Sequence, residues 1–465
     1  MKIKKFSFIF FILFSYGLSL SQDTLWLRRL DRGNEEWGYG ITFDRMGNLM
    51  VAGVSWNSST RHNILLIKYT PNGDTIWTKC YGDSESEAAY AVASDQEGNI
   101  ITAGWSGNDT IESQCLLVKF SPEGNFLWKR EYRIRDIDCF TDVAIDRDNG
   151  IVLTGTSYTY LGGGDNIGFL RKYDTNGTLV WTKFYPWSDW LLGIVVSQDG
   201  NFFVTGIDTF WQIITVRFDS AGDSIWTRKL SWIGHHHSFG CAADLDSFGD
   251  IVVVGYTTDW SNYDWVVIKY TQNGDTVWTR RFDFTTGDWA TNVTTDHLGN
   301  IYVCGNVGVI DTNDYLLAKL TPNGDIIWTR RYDNGYDDKV YGVAVDTNGN
   351  PIVTGTSHNG NDYDIVTIKY RGLSGIKEDR QPFNAPSSML NVYPNPAKSV
   401  LAIRLSLSAD RQAIKIFDVS GKLIREIATP SAHNGNELKI SLKGTKPGIY
   451  FLRLGTETKK FLIVK

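Results

Sequence analysis

A twelve-residue stretch returns six times along the chain, and it limits the fold more than any other feature. It reads KYTPNGDTIWTK at residues 68–79, then KFSPEGNFLWKR from Lys119, KYDTNGTLVWTK from Lys172, RFDSAGDSIWTR from Arg217, KYTQNGDTVWTR from Lys269 and KLTPNGDIIWTR from Lys319. Two runs rich in β-branched and aromatic residues flank a turn with glycine at a fixed place. Two antiparallel strands joined by a tight turn require that pattern. Near-regular repetition marks a repeat architecture, so the repeat must be read before any single residue.

One unit, followed from Trp278, contains four apolar runs: WTRRFDF, NVTTD, IYVCGNV and YLLAKL, the last leading through TPNGD into IIWTRRY. Four strands with two tight turns and two longer loops is the plan of a β-propeller blade. Three markers recur seven times each: a Trp (Trp26, Trp77, Trp128, Trp181, Trp226, Trp278, Trp328), a Gly (Gly53, Gly104, Gly155, Gly206, Gly255, Gly305, Gly355) and a basic residue (Lys68, Lys119, Lys172, Arg217, Lys269, Lys319, Lys369). The count predicts an all-β, seven-bladed propeller over residues 22–370. The first marker is a lone Trp strand and the last a lone Lys-Tyr strand, so pairing Trp26 beside Lys369 is expected to complete the last blade and close the ring, removing an open sheet edge.

Spacing separates two faces. The basic marker lies nine residues before the next Trp, and the turn position (Asp44, Asp95, Asp146, Ser197, Asp246, Asp296, Asp346) nine before the Gly, without exception. The other two connections vary, from 16 to 20 and from 11 to 17 residues. One face is built of uniform turns and the other of variable loops, where binding concentrates.

The repeated Trp residues are read as packing between blades, because symmetric repeats repeat their packing. The basic markers are read as strand residues paired with a nearby Asp. The D-x-x-G-N turns lack the alternating carboxylates of a calcium loop. Residues that break the symmetry on the variable face are the binding candidates: Trp56, Trp105, Trp187, Trp190, Trp211, Trp260, Trp265 and Trp289, with Asp337 and Asp338. Glu35, Trp37 and Tyr158 belong to the same set. Aromatic rings among acids suit carbohydrate: rings stack on sugar faces and carboxylates hold hydroxyls. The paired acids Asp337 and Asp338 alternatively offer an acid and a base for a polysaccharide-degrading enzyme. In the run His235, His236 and His237, two imidazoles plus an acid are the weak candidate for a metal, and otherwise none is expected. No GxSxG, HExxH or P-loop occurs, and no cofactor is expected.

Residues 22–370 carry 27 Lys and Arg against 45 Asp and Glu, an acidic balance that excludes a nucleic-acid footprint. Residues 1–21 read as a secretory signal: Lys2, Lys4 and Lys5 precede an apolar run that ends at Ser19-Leu20-Ser21. No other run suits a membrane span. Five scattered Cys with no CxxC are read as small buried residues. Residues 371–390 are rich in Pro, Ser and charge and read as a linker. Residues 391–465 alternate again, with turns at Ser420-Gly421 and Pro447-Gly448, and predict a small Ig-like antiparallel β-sandwich.

Within that segment Tyr393-Pro394-Asn395-Pro396, Ile416-Phe417-Asp418 with Gly421-Lys422, Gly448-Ile449-Tyr450-Phe451 and Lys459-Lys460-Phe461 resemble the C-terminal sorting domain of type IX secretion substrates. The resemblance implies export through the periplasm of a Gram-negative bacterium to the outer-membrane surface or beyond, with the type IX machinery as partner. The body resembles secreted bacterial β-propeller repeats with a K-Y-x-x-x-G-x-x-x-W core, which implies a fold and not a chemistry. The expectation is a monomeric, non-enzymatic surface or secreted binding protein, its ligand a polysaccharide or a surface protein.

Overall fold

Each repeat closes two tight turns by its own chemistry. In the motif from Lys68 the Gly73 N–H donates to the Thr70 carbonyl at 2.9 Å, and Thr70 N–H to the Asp74 carbonyl at 2.8 Å. Gly73 holds φ at +84°, a conformation open to glycine at no steric cost. In the other turn Asp44 Oδ1 accepts the N–H groups of Met46 and Asn48 at 2.9 and 2.8 Å, the short side chain standing in for a backbone turn. The structure is a computed structural model that describes residues 23–57, 61–82, 85–108, 112–159, 166–231, 237–259, 261–309, 312–372, 390–393, 400–405, 414–418, 422–427, 437–441, 445–446, 448–454 and 457–463. The expected signal at 1–21 and nearly all of the expected linker lie outside them.

Between these turns the body is entirely β, and no helix occurs among the described residues. Among the described residues its 28 strands pair into antiparallel sets of four, and two pairs of neighbouring sets also join through a single parallel contact, Ser113 with Ile137 and Tyr263 with Gly287. Set one runs Glu36–Phe43, Leu49–Asn57, Arg61–Tyr69, Thr75–Tyr81. The last set takes Asp338–Val345, Pro351–His358 and Tyr363–Tyr370 from late in the chain and Thr24–Leu30 from its start. There Trp26 stands opposite Lys369, as Trp77 stands opposite Lys68 within one motif. The first strands of successive sets adjoin, and Asp338–Val345 also adjoins Glu36–Phe43. This is a propeller-like repeat fold.

The repeated Trp and basic residues join one set to the next. Trp26 Nε1 and Lys369 Nζ both donate to the Pro71 carbonyl, at 3.3 and 3.0 Å. Trp226 and Trp278 donate to the carbonyls of Gln272 and Pro322 at 2.9 and 3.1 Å. Trp77 and Trp181 lie against Gly124 and Gly222, so closely that an added Cβ would come within 2.9 and 3.2 Å of the rings. A guanidinium two residues on covers Trp128 and Trp328, at 4.9 and 4.8 Å from the ring centre. Arg130 also donates to the Gly177 carbonyl of the next turn at 2.7 Å. Within each set the basic marker also meets the carboxylate of the other tight turn: Lys68 to Asp44 at 2.9 Å, Lys119 to Asp95 at 2.8 Å, Lys269 to Asp246 at 2.6 Å. These ammonium groups are buried, so loss of either partner would strand a charge.

The repeated Gly answers a bulge. Every first strand carries an extra residue against its neighbour at the same place: Tyr39, Tyr90, Thr141, Leu192, Cys241, Thr291 and Tyr341; Ser188–Val196 carries a second, Asp189. The Gly marker sits on the second strand opposite the residue before the extra one, for example Gly104 opposite Ala89. The bulge pushes the carbonyl of the residue two before it over that Gly. A Cβ on Gly53, Gly104, Gly206, Gly255, Gly305 or Gly355 would fall 1.7 to 2.2 Å from this oxygen. At Gly155 the Phe169 ring is nearer still, at 2.3 Å from such a Cβ, with the Cys139 carbonyl at 2.8 Å.

The C-terminal unit, residues 381–465, stands as a separate body with two sheets. One pairs Leu390–Tyr393, Val400–Leu405 and Glu437–Ser441. The other orders Leu423–Ile427, Ile414–Asp418, Gly448–Leu454 and Glu457–Ile463. Ile416 and Leu452 pair and are buried, and the Tyr450 hydroxyl donates to the Lys446 carbonyl at 2.9 Å. Tyr393 and Gly448 lie on strands; Pro394, Asn395, Pro396 and Gly421 lie outside the described residues. The cysteines correct one expectation: all five are free, and Cys115 and Cys304 are buried, but Cys80 is exposed.

Gly104→Ala places its methyl 2.0 Å from the Ala88 carbonyl oxygen. It is expected to lower stability by about 1–3 kcal/mol, the usual cost of overpacking, read by urea unfolding. An unchanged midpoint would contradict the account of the bulge.

Candidate functional site

The seven extra residues share one destination. All of them line a single cavity of about 500 Å³ enclosed by the first strands. A bulge re-aims a side chain, and here every set re-aims one side chain into the same space. Three neighbouring sets supply tyrosine. The rings of Tyr39 and Tyr90 are 5.2 Å apart, edge to face, and those of Tyr39 and Tyr341 are 4.9 Å apart. Burial raises the Tyr39 hydroxyl well above its ordinary value, and pushes Tyr90 up to about 12, so both phenols stay protonated and able to donate. Trp190 and Tyr158 add two more aromatic rings to the wall.

Among the described residues Asp142 is the one carboxyl on that wall. Its Oδ1 accepts the Val143 N–H at 2.8 Å and its Oδ2 the Ile194 N–H of the next first strand at 2.9 Å. Asp244 makes the same bridge elsewhere, accepting Leu245 and Thr295 N–H at 2.8 Å each. Burial raises both carboxyls, Asp142 to about 7 and Asp244 to about 6, against the lowering effect of those N–H groups.

A second pocket of about 150 Å³ opens beside the cavity and shares Tyr39 and Tyr90 with it. Trp37, Trp56, Trp105 and His62 surround it, with Glu35. The Trp105 N–H donates to the Tyr90 hydroxyl at 2.9 Å, which orients both rings. Trp37 and Trp56 lie on paired strands of set one and Trp105 on set two, so residues distant in sequence form one aromatic rim on the variable-loop side.

Trp56 and Trp105 thus come together at the rim, and Trp190 faces the cavity. Trp211 is 38% exposed and stacks on His237 at 4.6 Å, away from the cavity. Trp187 packs on Tyr185 at 5.1 Å and Trp289 on Tyr263 at 5.1 Å. Trp260, His235 and His236 lie outside the described residues. Trp265 is a correction: it is fully buried against Phe284, because strand alternation on Tyr263–Tyr270 turns it into the core between sets.

Asp337 and Asp338 are also corrected as exposed acids, since both are buried. Neighbours on a chain entering a strand point apart. Asp337 accepts Lys339 Nζ at 2.7 Å and Asn313 Nδ2 at 2.9 Å; these contacts outweigh burial and hold it below the ordinary carboxylate range. Asp338 accepts the Asn334 N–H at 2.9 Å, and burial pushes it up to about 7. Asp138 and Asp288 cap their loops in the same way, through Ile134 and Phe284 N–H. Two acid groups, Asp31 with Glu36 and Asp364, and Asp314 with Asp333 and Asp338, each bring three oxygens within 4.8 Å. Each already holds an arginine, Arg29 on Asp364 at 2.7 Å and Arg331 on Asp314.

Sequence reasoning missed Tyr39, Tyr90 and Tyr341 as site residues. A signal existed: each extra residue stands five before its turn position, as Tyr39 stands before Asp44 and Tyr341 before Asp346.

Comparison with known proteins bears on the two bodies separately. Residues 391–465 match the secretion system C-terminal sorting domain family. A tail of this family directs export by type IX secretion to the cell surface or the extracellular space. The body resembles puromycin hydrolase at 13% identity and a TM-score of 0.50, over 80% of this chain and 59% of that one, a likeness of fold alone. An ulvan lyase of polysaccharide lyase family PL25 superposes at 9% identity and a TM-score of 0.49, over 74% of this chain and 96% of that one. An uncharacterized WD repeat-containing protein of Acanthamoeba polyphaga mimivirus is 28% identical over 108 residues, 20% of this chain and 8% of that protein. The chain is a propeller-like repeat protein with a type IX sorting tail.

The raised carboxyls set a pH dependence. An acid held neutral in the fold contributes stability that is present below its unfolded value, about 4, and is lost as pH rises through about 7 for Asp142. Asp44, Asp95 and Asp346 act oppositely. There burial raises the carboxyl, but the lysine and asparagine partners outweigh it, so their contribution is lost as pH falls below the ordinary carboxylate range. Urea unfolding should therefore show stability falling between about pH 4 and pH 7. Asp142→Asn should flatten that fall, and an equally steep profile in the variant would contradict the assignment.

Proposed function

We propose that the chain is an exported, non-enzymatic binding protein whose body is a seven-bladed propeller closed by the pairing of Thr24–Leu30 with Tyr363–Tyr370, and whose tail is an Ig-like sandwich. Its ligand is a polysaccharide displayed on a cell or in a matrix, taken at the variable-loop face. The adjoining first strands and the shared marker pairing at Trp26 and Lys369 support the closed ring. The two tail sheets support the sandwich.

One observation carries the binding reading: Trp37, Trp56 and Trp105 meet around one pocket that borders the central cavity and shares Tyr39 and Tyr90 with it. Indole faces hold sugar rings through their C–H surfaces, and neighbouring acids and phenols hold hydroxyls. Binding is favoured over catalysis because the paired acids Asp337 and Asp338 are buried and already engaged by Lys339, Asn313 and Asn334.

Calorimetry of the full chain against a polysaccharide panel tests this. Saturating heat that falls at least tenfold in apparent affinity in Trp56→Ala and in Trp105→Ala is the expected result, in line with the weight carried by aromatic anchors. Heat that persists until the polysaccharide is consumed would replace the reading with that of a degrading enzyme. Silence with every polysaccharide, alongside binding to a surface protein, would make the chain an adhesin.

A further inference from the structure

Resting on that reading of the face, we infer that the central cavity receives the end of an uncharged saccharide chain, with Tyr39 and Tyr341 as the residues that meet its terminal rings. Tyr39 and Tyr90 line both the cavity and the rim pocket, so the two spaces adjoin and are divided only by these two side chains. The inner space is walled by the first strands of all seven sets, so a polymer enters by an end or a branch tip and cannot lie across it. Its volume, about 500 Å³, is within the range of sites that enclose small molecules.

The wall chemistry selects against charge. Among the described residues no Lys, Arg or His lines the cavity. A sulfate ester or uronate entering it would lose its water and find no counter-charge, a large penalty. Asp142 offers little to a cation, because both its oxygens already accept main-chain N–H groups. What remains is aromatic surface with open polar tips. Among the described residues no protein group bonds the hydroxyls of Tyr39 and Tyr341, whereas that of Tyr90 accepts from Trp105. Phenols able to donate and accept, set beside flat rings, match a neutral sugar, whose ring hydroxyls do both. The body's excess of acids, 45 against 27 basic residues, repels polyanions before they arrive.

The test titrates the full chain with neutral and uronic-acid hexasaccharides of matched length, then repeats it with Tyr341→Ala, a residue that lines the cavity and does not line the rim pocket. The expected result is saturable binding of a neutral hexasaccharide, at least tenfold tighter than any uronate, with at least tenfold loss in Tyr341→Ala at unchanged near-ultraviolet circular dichroism. If Tyr341→Ala does not fold, Tyr341→Phe removes only the hydroxyl and is expected to cost at least threefold. Uronate bound as tightly as neutral sugar overturns the inference but leaves polysaccharide binding standing. So does full affinity in Tyr341→Ala together with loss in Trp56→Ala, which would confine the ligand to the rim. No saccharide bound at all overturns both.

Discussion

A carbonyl oxygen lying over a glycine is the constraint from which this structure follows. Each first strand absorbs an extra residue at the same place, where the backbone arches over the second strand. Only a residue without Cβ leaves room for the arch, because any methyl there would lie about 2 Å from the oxygen in most sets, as at Gly104 and Gly355. The arch does two things at once. It bends the first strand so that neighbouring sets can come together, and it turns the surplus side chain toward the common cavity. Packing between sets and the lining of the cavity are therefore coupled through the same atoms.

The joints between sets use a different device, and it lies on the opposite face. There an indole, a basic side chain two residues on and a buried lysine all grip the next turn, as Trp26, Arg28 and Lys369 grip Pro71 and Gly73. Their partners are main-chain carbonyls, so the grip depends on turn shape and little on turn sequence. This explains why the turn residues differ, Pro71 in one set and Gln272 in another, while the Trp and its spacing do not. The uniform face carries the load of assembly. The other face is left free to vary, and the aromatic rim is built there.

Much of this was legible in the chain. The fixed intervals between the basic marker and Trp, and between the turn Asp and Gly, announce strand pairs with tight turns, and the unmatched Trp26 and Lys369 point to each other. Trp56 and Trp105 were legible as symmetry breakers. What was hidden depends on the third dimension. Trp265 and Asp338 look like loop residues in the sequence, but strand alternation and loop capping put them inside. Tyr39, Tyr90 and Tyr341 were overlooked because a bulge becomes visible only once two strands are laid side by side, and because the seven bulge positions differ in residue type. Their shared offset from the turn was present, yet nothing in the sequence says that the offset points inward.

The most direct measurement is a crystal structure of the full chain grown with a neutral oligosaccharide. The account predicts sugar density that starts between Trp56 and Trp105 and ends against Tyr39 and Tyr341, with their hydroxyls bonded to it. Density confined to the outer loops, with the tyrosine cluster contacting only water, would contradict the claim that the bulges build the binding site.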